Sequence, residues 1–215
     1  SKLLEHLGYE VILPNWSCCG RINLSVGDDK SAKVKARRNV EVAIDALKTA
    51  DYIVGLEPSC ILSFKDEYLD LLPGNKDAIL VAEKTILIDT LLMKNISEIK
   101  TFNINKIPKN ILLQTHCHQR ALAEHNSSLL LLKSIDACNI IELNSGCCGM
   151  AGSFGFEKEH YELSMSLGKM NLFDEINKHT KDVEIVSMGA SCRQQIIDGT
   201  GRVPLHITEL FLKAI

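Results

Sequence analysis

Apolar residues along the chain fall into two patterns. Short β-branched runs with little alternation, bounded by polar or turn residues, predict strands buried on both faces: residues 10–13, 52–56, 111–114, 139–143 and 183–188. Longer stretches show helical spacing. Residues 32–50 carry Val34, Val40, Ile44 and Leu47 on one face and bases on the other, and residues 159–178 repeat this with Leu163, Leu167, Met170 and Phe173. Residues 78–94 predict a further helix, and 95–110, with Pro108, a linker. Cys60 and Cys192 should each open a helix, with Ser59 and Ser191 as caps. Strands alternating with helices give an α/β fold with mostly parallel sheets. The chain opens inside a helical pattern, residues 1–7, and reads as a piece of something longer.

The pattern repeats. Cys18-Cys19-Gly20 returns as Cys147-Cys148-Gly149, an offset of 147 − 18 = 129, and the strand ending in Cys60 returns as the strand ending in Cys192, an offset of 192 − 60 = 132. Val11 and Ile12 before the first Cys-Cys-Gly correspond to Ile140 and Ile141 before the second. Two tandem strand–helix copies, 1–107 and 108–215, related by a pseudo-two-fold, are expected.

Composition narrows the function. The chain has 215 residues, 46% of them hydrophobic and 24% charged, with a net charge of −3. That balance suits a soluble protein with a full core and gives no support for a nucleic-acid surface. No apolar run is long enough for a membrane span, and residues 1–20 lack the pattern of a signal peptide. Eight cysteines in a chain that needs no disulfide staples point to a reducing compartment and to metal or redox chemistry.

Their positions sharpen this. Cys18 and Cys19, Cys60, Cys117, Cys147 and Cys148, and Cys192 each follow a predicted strand, where ligands of parallel sheets gather. The topology therefore collects Cys117, Cys147, Cys148 and Cys192 at one rim, and does the same for Cys18, Cys19 and Cys60. Four thiolates suit tetrahedral zinc or an iron–sulfur cluster. Gly20 and Gly149 allow tight turns beside a bulky centre, and the glycines at 149, 152 and 155 fit backbone wrapped around it better than a dinucleotide loop. Cys138 reads as a core thiol, His116 as structural, and His118 as either a ligand or second-sphere donor or a core histidine. His206 reads as a surface or interface residue, and Lys35, Arg37 and Arg38 as a solvated basic face.

At these residues the sequence resembles the cysteine-rich CCG domain family, whose pattern is a lone Cys, then Cys-Cys-Gly, then a third Cys element, given twice. Cys117-His118, Cys147-Cys148-Gly149 and Cys192 match one copy in full; Cys18-Cys19-Gly20 and Cys60 match the other without its opening Cys. The stretches 147–161 and 191–196 are similar to the C-terminal part of fused FAD-linked dehydrogenases of D-2-hydroxy acids. The resemblance implies an iron–sulfur electron-transfer domain of a FAD-linked oxidase or dehydrogenase, such as those oxidising 2-hydroxy acids or glycerol 3-phosphate. It implies a [4Fe–4S] cluster on Cys117, Cys147, Cys148 and Cys192, and a first-repeat site on Cys18, Cys19 and Cys60 that is empty, completed from elsewhere, or filled by zinc. FAD is expected on another domain or subunit. The implied partners are that flavin-binding dehydrogenase part, a ferredoxin-like Fe–S domain, and a quinone or other acceptor, in the cytoplasm or at the inner face of the membrane through those partners. Two rivals stand beside this reading: a heterodisulfide-reductase-like thiol–disulfide catalyst and a zinc-stabilised binding module. The fourth position of a terminal Cys-x-x-Cys is Ser63 in one copy and Gln195 in the other, which counts against the first rival.

Overall fold

The computed structural model describes residues 1–122, 126–135, 138–143 and 145–215. The chain is α/β, and its strand pairs are parallel. It forms two compact units, one made of Glu10–Ile88 and the other of Ser1–Tyr9 together with Asp89–Ile215.

In the unit Glu10–Ile88, β1 (Ile53–Gly55) pairs with β2 (Thr85–Leu87), Val54 opposite Ile86. The expected helix over 78–94 is thus interrupted. A helix Lys76–Lys84 ends at Thr85, whose hydroxyl donates to the Val81 carbonyl at 2.7 Å, and Thr85-Ile86-Leu87 extends as a buried strand before the helix Ile88–Lys94 begins. Residue type decides this: Thr85 and Ile86 are β-branched and favour the pleated conformation. The strand expected over 10–13 is absent. Those residues pair with nothing in the ladder, Leu13 is 85% exposed, and Pro14 follows with no N–H to donate.

The helix Asp29–Ala46 is capped by Asp28, whose carboxylate accepts from the Ser31 N–H at 3.1 Å. It buries Ala32, Ala36, Asn39, Val40 and Ala43, while Val34 lies 67% exposed. The expected face is therefore displaced: the side packed inward consists mainly of small residues.

In the other unit the sheet order is β4-β3-β5, with β3 (Asn110–Gln114) between β4 (Asn139–Glu142) and β5 (Glu184–Ser187). Leu112 pairs with Ile141 on one side and Ile185 on the other, and Ile111, Leu112 and Leu113 are wholly or almost wholly buried. A core of Leu112, Leu143, Leu172, Phe173, Ile176, Ile185 and Ile196 packs around the sheet and encloses Cys148 and Cys192.

The helix expected over 159–178 is three segments: Tyr161–Gly168, a π-helical turn Lys169–Phe173, and Asp174–Asn177. The π turn shifts the register by one residue. Ser164, Gly168, Leu172, Phe173 and Ile176 face inward, and Leu163, Leu167 and Met170, expected there, are exposed. Among the described residues no helix is long and apolar enough to cross a membrane.

Candidate metal centre

Three parallel strands set the rim of the second-copy site. Cys117 is the first residue of the helix Cys117–Leu122 after β3, Cys147 and Cys148 lie in the loop after β4, and Cys192 is the third residue of the helix Ala190–Thr200 after β5. Cys60 holds the same third position in the helix Pro58–Lys65 after β1. Both helices open as expected, but the caps differ. Glu57 caps the first, accepting from the Ser59 hydroxyl at 2.7 Å and its N–H at 3.4 Å. The second begins at Gly189, where a Cβ would lie 2.4 Å from the His116 ring and 3.2 Å from the Cys192 sulfur. Glycine there lets ring and thiol approach the turn.

The four sulfurs form a chain of contacts. Cys147 is hydrogen-bonded to Cys117 and to Cys148, and Cys148 to Cys192. The Cys147 thiol is driven well below the ordinary range by the bond from Cys117 and then that from Cys148, against burial, with further help from the backbone N–H groups of Gly149 and Ala151. Its neighbours move the opposite way. The Cys117 thiol is pushed up by sharing its proton with Cys147 and then by burial, and the Cys148 thiol by Cys147, by Cys192 and by burial. Neighbouring thiols that share protons thus shift in opposite directions.

Backbone geometry builds that preference. Gly149, Ala151 and Gly152 have φ of 98°, 42° and 73°. Left-handed residues in succession form a nest whose N–H groups converge on an anion. The Gly149 N–H reaches the Cys147 sulfur at 3.4 Å, and the Met150 N–H serves Cys148. Gly149 admits no side chain, since a Cβ would lie 2.3 Å from the Ser164 carbonyl oxygen. Gln195 secures the same place: its amide donates to the Ser164 carbonyl at 2.9 Å and to the Ser164 hydroxyl at 3.1 Å. Cys148 and Cys192 are buried and Cys147 is exposed.

In the first copy, Cys19 is buried while Cys18 and Cys60 are exposed. Cys19 is lowered to about 6 chiefly by a hydrogen bond from Cys60, burial opposing; the Arg21 N–H and Cys18 add to the lowering. Cys60 is correspondingly raised by Cys19 and by burial. Gly20 has φ of 88°, and its Cβ would lie 3.3 Å from the Ala32 Cα.

The histidines are placed as follows. His116 is buried, and its Nδ1 accepts from the His118 N–H at 3.2 Å. The His118 ring stands edge-on to it with centroids 5.4 Å apart, and the His118 N–H also serves the Cys117 sulfur. His206, expected at a surface or an interface, is buried within its own unit. It caps the helix Ile207–Leu212, its ring accepting from the Thr208 N–H while its own N–H donates to Glu209 at 2.6 Å. Cys138 lies apart from both sites, donating to the Pro108 carbonyl at 3.4 Å, its pKa raised by burial. Lys35 donates to Asn23 at 2.6 Å, and Arg37 and Arg38 are exposed.

Sequence reasoning missed the buried polar residues around the sites. Asp89 is fully buried and raised by desolvation; it accepts from Gln119, on the helix that Cys117 opens, and from Ser128 at 2.6 Å. Asn39 and Tyr68 bind the backbone of Cys18 and Cys19. A polar residue within an otherwise helical pattern at 39 was the one signal available for this group.

Among the described residues no three His, Cys, Asp or Glu side chains converge as a ready-made site for a single metal ion. The donor set is nevertheless four sulfurs linked one to the next, with backbone N–H groups serving Cys147. That chemistry fits a thiolate-bound iron–sulfur group.

Comparison with known proteins gives the same direction. The chain is 28% identical over its whole length to the C subunit of anaerobic glycerol-3-phosphate dehydrogenase from Escherichia coli K12, covering 54% of that protein. It is 26% identical to lactate utilization protein A of Oceanobacillus iheyensis, with 97% of this chain and 86% of that one aligned. It is 25% identical to D-2-hydroxyglutarate dehydrogenase of Pantoea ananatis over 95% of this chain and 20% of that one. The chain therefore spans about half of the first of these relatives and a fifth of the last. The model of the CCG family, described as a cysteine-rich domain, matches residues 1–65 and 111–197, and each stretch includes one Cys-Cys-Gly and its partner cysteine from the following helix. The chain belongs to the cysteine-rich CCG domain family.

Proposed function

We propose that this chain is the iron–sulfur electron-transfer part of a flavin-linked dehydrogenase, with a [4Fe–4S] cluster on Cys117, Cys147, Cys148 and Cys192. The observation that carries the reading is the chain of four contacting sulfurs at the carboxyl rim of a parallel sheet, with a left-handed nest donating to Cys147. A bound cluster supplies one-electron storage. The protein does the rest. The N–H groups of Gly149, Met150, Ala151 and His118 stabilise negative charge on sulfur, which raises the potential relative to unassisted thiolates. Cys148 and Cys192 lie in the apolar core and exclude water, whereas Cys147 is exposed and marks the side on which a redox partner approaches nearest.

The two repeats 1–107 and 108–215 are copies of one unit, and Cys18, Cys19 and Cys60 form the related first-repeat site, for iron–sulfur or zinc. The names of the relatives support a dehydrogenase partner and oxidation of a 2-hydroxy acid or glycerol 3-phosphate. In this reading the partner carries the flavin, and electrons pass through a ferredoxin-like domain to a quinone or another carrier at the cytoplasmic side.

The test is anaerobic iron, sulfide and zinc analysis of the purified chain with its visible spectrum. Iron and sulfide in equal amounts, with broad absorption bleached by dithionite, is the expected result. Zinc alone, with no iron taken up on anaerobic reconstitution, overturns it.

A further inference from the structure

Asn39 and Tyr68 are polar, fully buried and unused by any step above. Asn39 comes from the helix Asp29–Ala46 and Tyr68 from the helix Glu67–Leu71. Together they grip the backbone of three consecutive residues. The Ser17 N–H donates to Asn39 Oδ1 at 2.9 Å, and the Ser17 hydroxyl donates to the same oxygen at 2.9 Å. The Asn39 amide donates to the Cys18 carbonyl at 3.2 Å, to the Ser17 carbonyl at 3.5 Å and to the Tyr68 oxygen at 2.9 Å. The Tyr68 hydroxyl donates to the Cys19 carbonyl at 2.9 Å. Phe64 stacks on the Tyr68 ring with centroids 4.5 Å apart, and Trp16 meets Phe64 edge-on.

Burying an amide and a phenol is a costly way to join two helices; apolar side chains of similar volume would do it without desolvating polar groups. What an apolar pair could not do is fix the peptide planes of Ser17, Cys18 and Cys19. With those planes fixed and Gly20 held left-handed against Ala32, the backbone at Cys18 and Cys19 has one course. A segment without regular secondary structure thereby acquires a single conformation at its two cysteines.

We propose that Asn39 and Tyr68 are the positioning residues of a second metal centre, preorganising Cys18 and Cys19 to bind metal together with Cys60. The proposal rests on the reading that the cysteine groups of this chain hold metal. It makes the first-repeat triad a maintained site rather than a remnant of the duplication. Outer residues that orient ligands in this way typically govern metal affinity by about 10- to 100-fold.

The test uses the full chain reconstituted anaerobically with iron and sulfide, challenged with an iron chelator, and followed by iron content and by electron paramagnetic resonance after reduction. Tyr68→Phe keeps the ring stack and removes one donor; Asn39→Ser breaks the clamp from its other end. Circular dichroism confirms that each variant folds, and Cys19→Ser marks the level expected when the first centre is lost. Both clamp variants should lose iron to the chelator about 10- to 100-fold more readily than the wild type. They should fall to the Cys19→Ser level, with the signal of the second-repeat centre unchanged. Folded Tyr68→Phe and Asn39→Ser chains that retain wild-type iron overturn the proposal, as does a wild type that holds no more iron than Cys19→Ser. A wild type that takes up no metal at all overturns the electron-transfer reading as well, so the two failures are distinguishable.

Discussion

The two Cys-Cys-Gly loops solve one steric problem with different tolerances. Each glycine is left-handed and packs against a small residue of the following helix, Gly20 against Ala32 and Gly149 against Ser164. The spacing differs, 32 − 20 = 12 residues in the first loop and 164 − 149 = 15 in the second, and the longer loop holds the nest around Cys147. Their supports differ as well. The first loop is held from below by Asn39 and Tyr68 through its own carbonyls; in the second, Gln195 anchors the partner helix at Ser164. The two Cys-Cys-Gly motifs thus share the cysteines and the left-handed turn, while the supports beneath them differ.

The strongest way to break the comparison is at the sulfurs. Cys192→Ser should abolish the second-repeat cluster, whereas Cys138→Ser, outside both groups, should leave iron content and spectrum intact. Equal loss from both would dissolve the distinction between ligand and core thiol.

The glycines come next. Gly149→Ala combines a left-handed alanine with a Cβ 2.3 Å from a carbonyl oxygen, and should cost about 3–5 kcal/mol in urea unfolding. Gly20→Ala meets Ala32 only at 3.3 Å and should cost about 1–2 kcal/mol, mainly backbone strain. Similar losses at both would mean that the tighter loop relaxes as easily as the looser one.

A smaller contrast lies at the two positions where a fourth cysteine is lacking. Gln195→Ala removes two hydrogen bonds to buried Ser164 and should cost about 1–3 kcal/mol. Among the described residues Ser63 bonds its own helix, to the Ser59 carbonyl at 3.0 Å, so Ser63→Ala should cost under about 1 kcal/mol.

The smallest effect is one of pH in the metal-free chain. Cys19 is lowered from 9.0 to about 6, so its ionised form favours folding; the stability it adds is fully present above pH 9 and lost as pH falls through 6. Cys60 is raised and subtracts stability above pH 9. The difference in urea midpoint between the chain and Cys19→Ala should therefore widen from pH 6 to pH 9 and stop growing beyond. A flat difference would mean that the Cys19–Cys60 bond does not form in solution.

Much of the site was legible in the sequence because two signals coincide there: the repeat offset, and cysteines just after β-branched runs that became β1, β3, β4 and β5. The errors share a physical origin. Hydropathy counts methyl groups, but the helices Asp29–Ala46 and Tyr161–Gly168 bury Ala32, Ala36, Ser164 and Gly168 because the chain passes too close for anything larger. The π turn at Lys169–Phe173 then moved the second stripe by a residue no periodic template anticipates. β2 was hidden in an apolar stretch where strand and helix look alike, and the 10–13 run had composition but no paired neighbour. Asn39, Tyr68, Asp89, Gln195 and His206 escaped because a polar letter reads as solvent unless its hydrogen-bond partners are seen.

The discontinuity of the larger unit sets an order of events during synthesis. Ser1–Tyr9 belongs with Asp89–Ile215, its Leu3 buried and its Tyr9 hydroxyl bonded to Asn95, while Glu10–Ile88 closes on itself. On the ribosome the helix Lys2–His6 emerges well before the rest of its own unit; the stretch that follows it is complete while that unit is still being made. The first-repeat cysteines are therefore in place, with Cys18 and Cys60 exposed, before Cys192 has been translated. Residues 1–9 wait through the folding of a whole neighbouring unit for their partners in Asp89–Ile215, and a pause in elongation just after residue 88 has left the ribosome would leave Glu10–Ile88 closed while those partners are still being made.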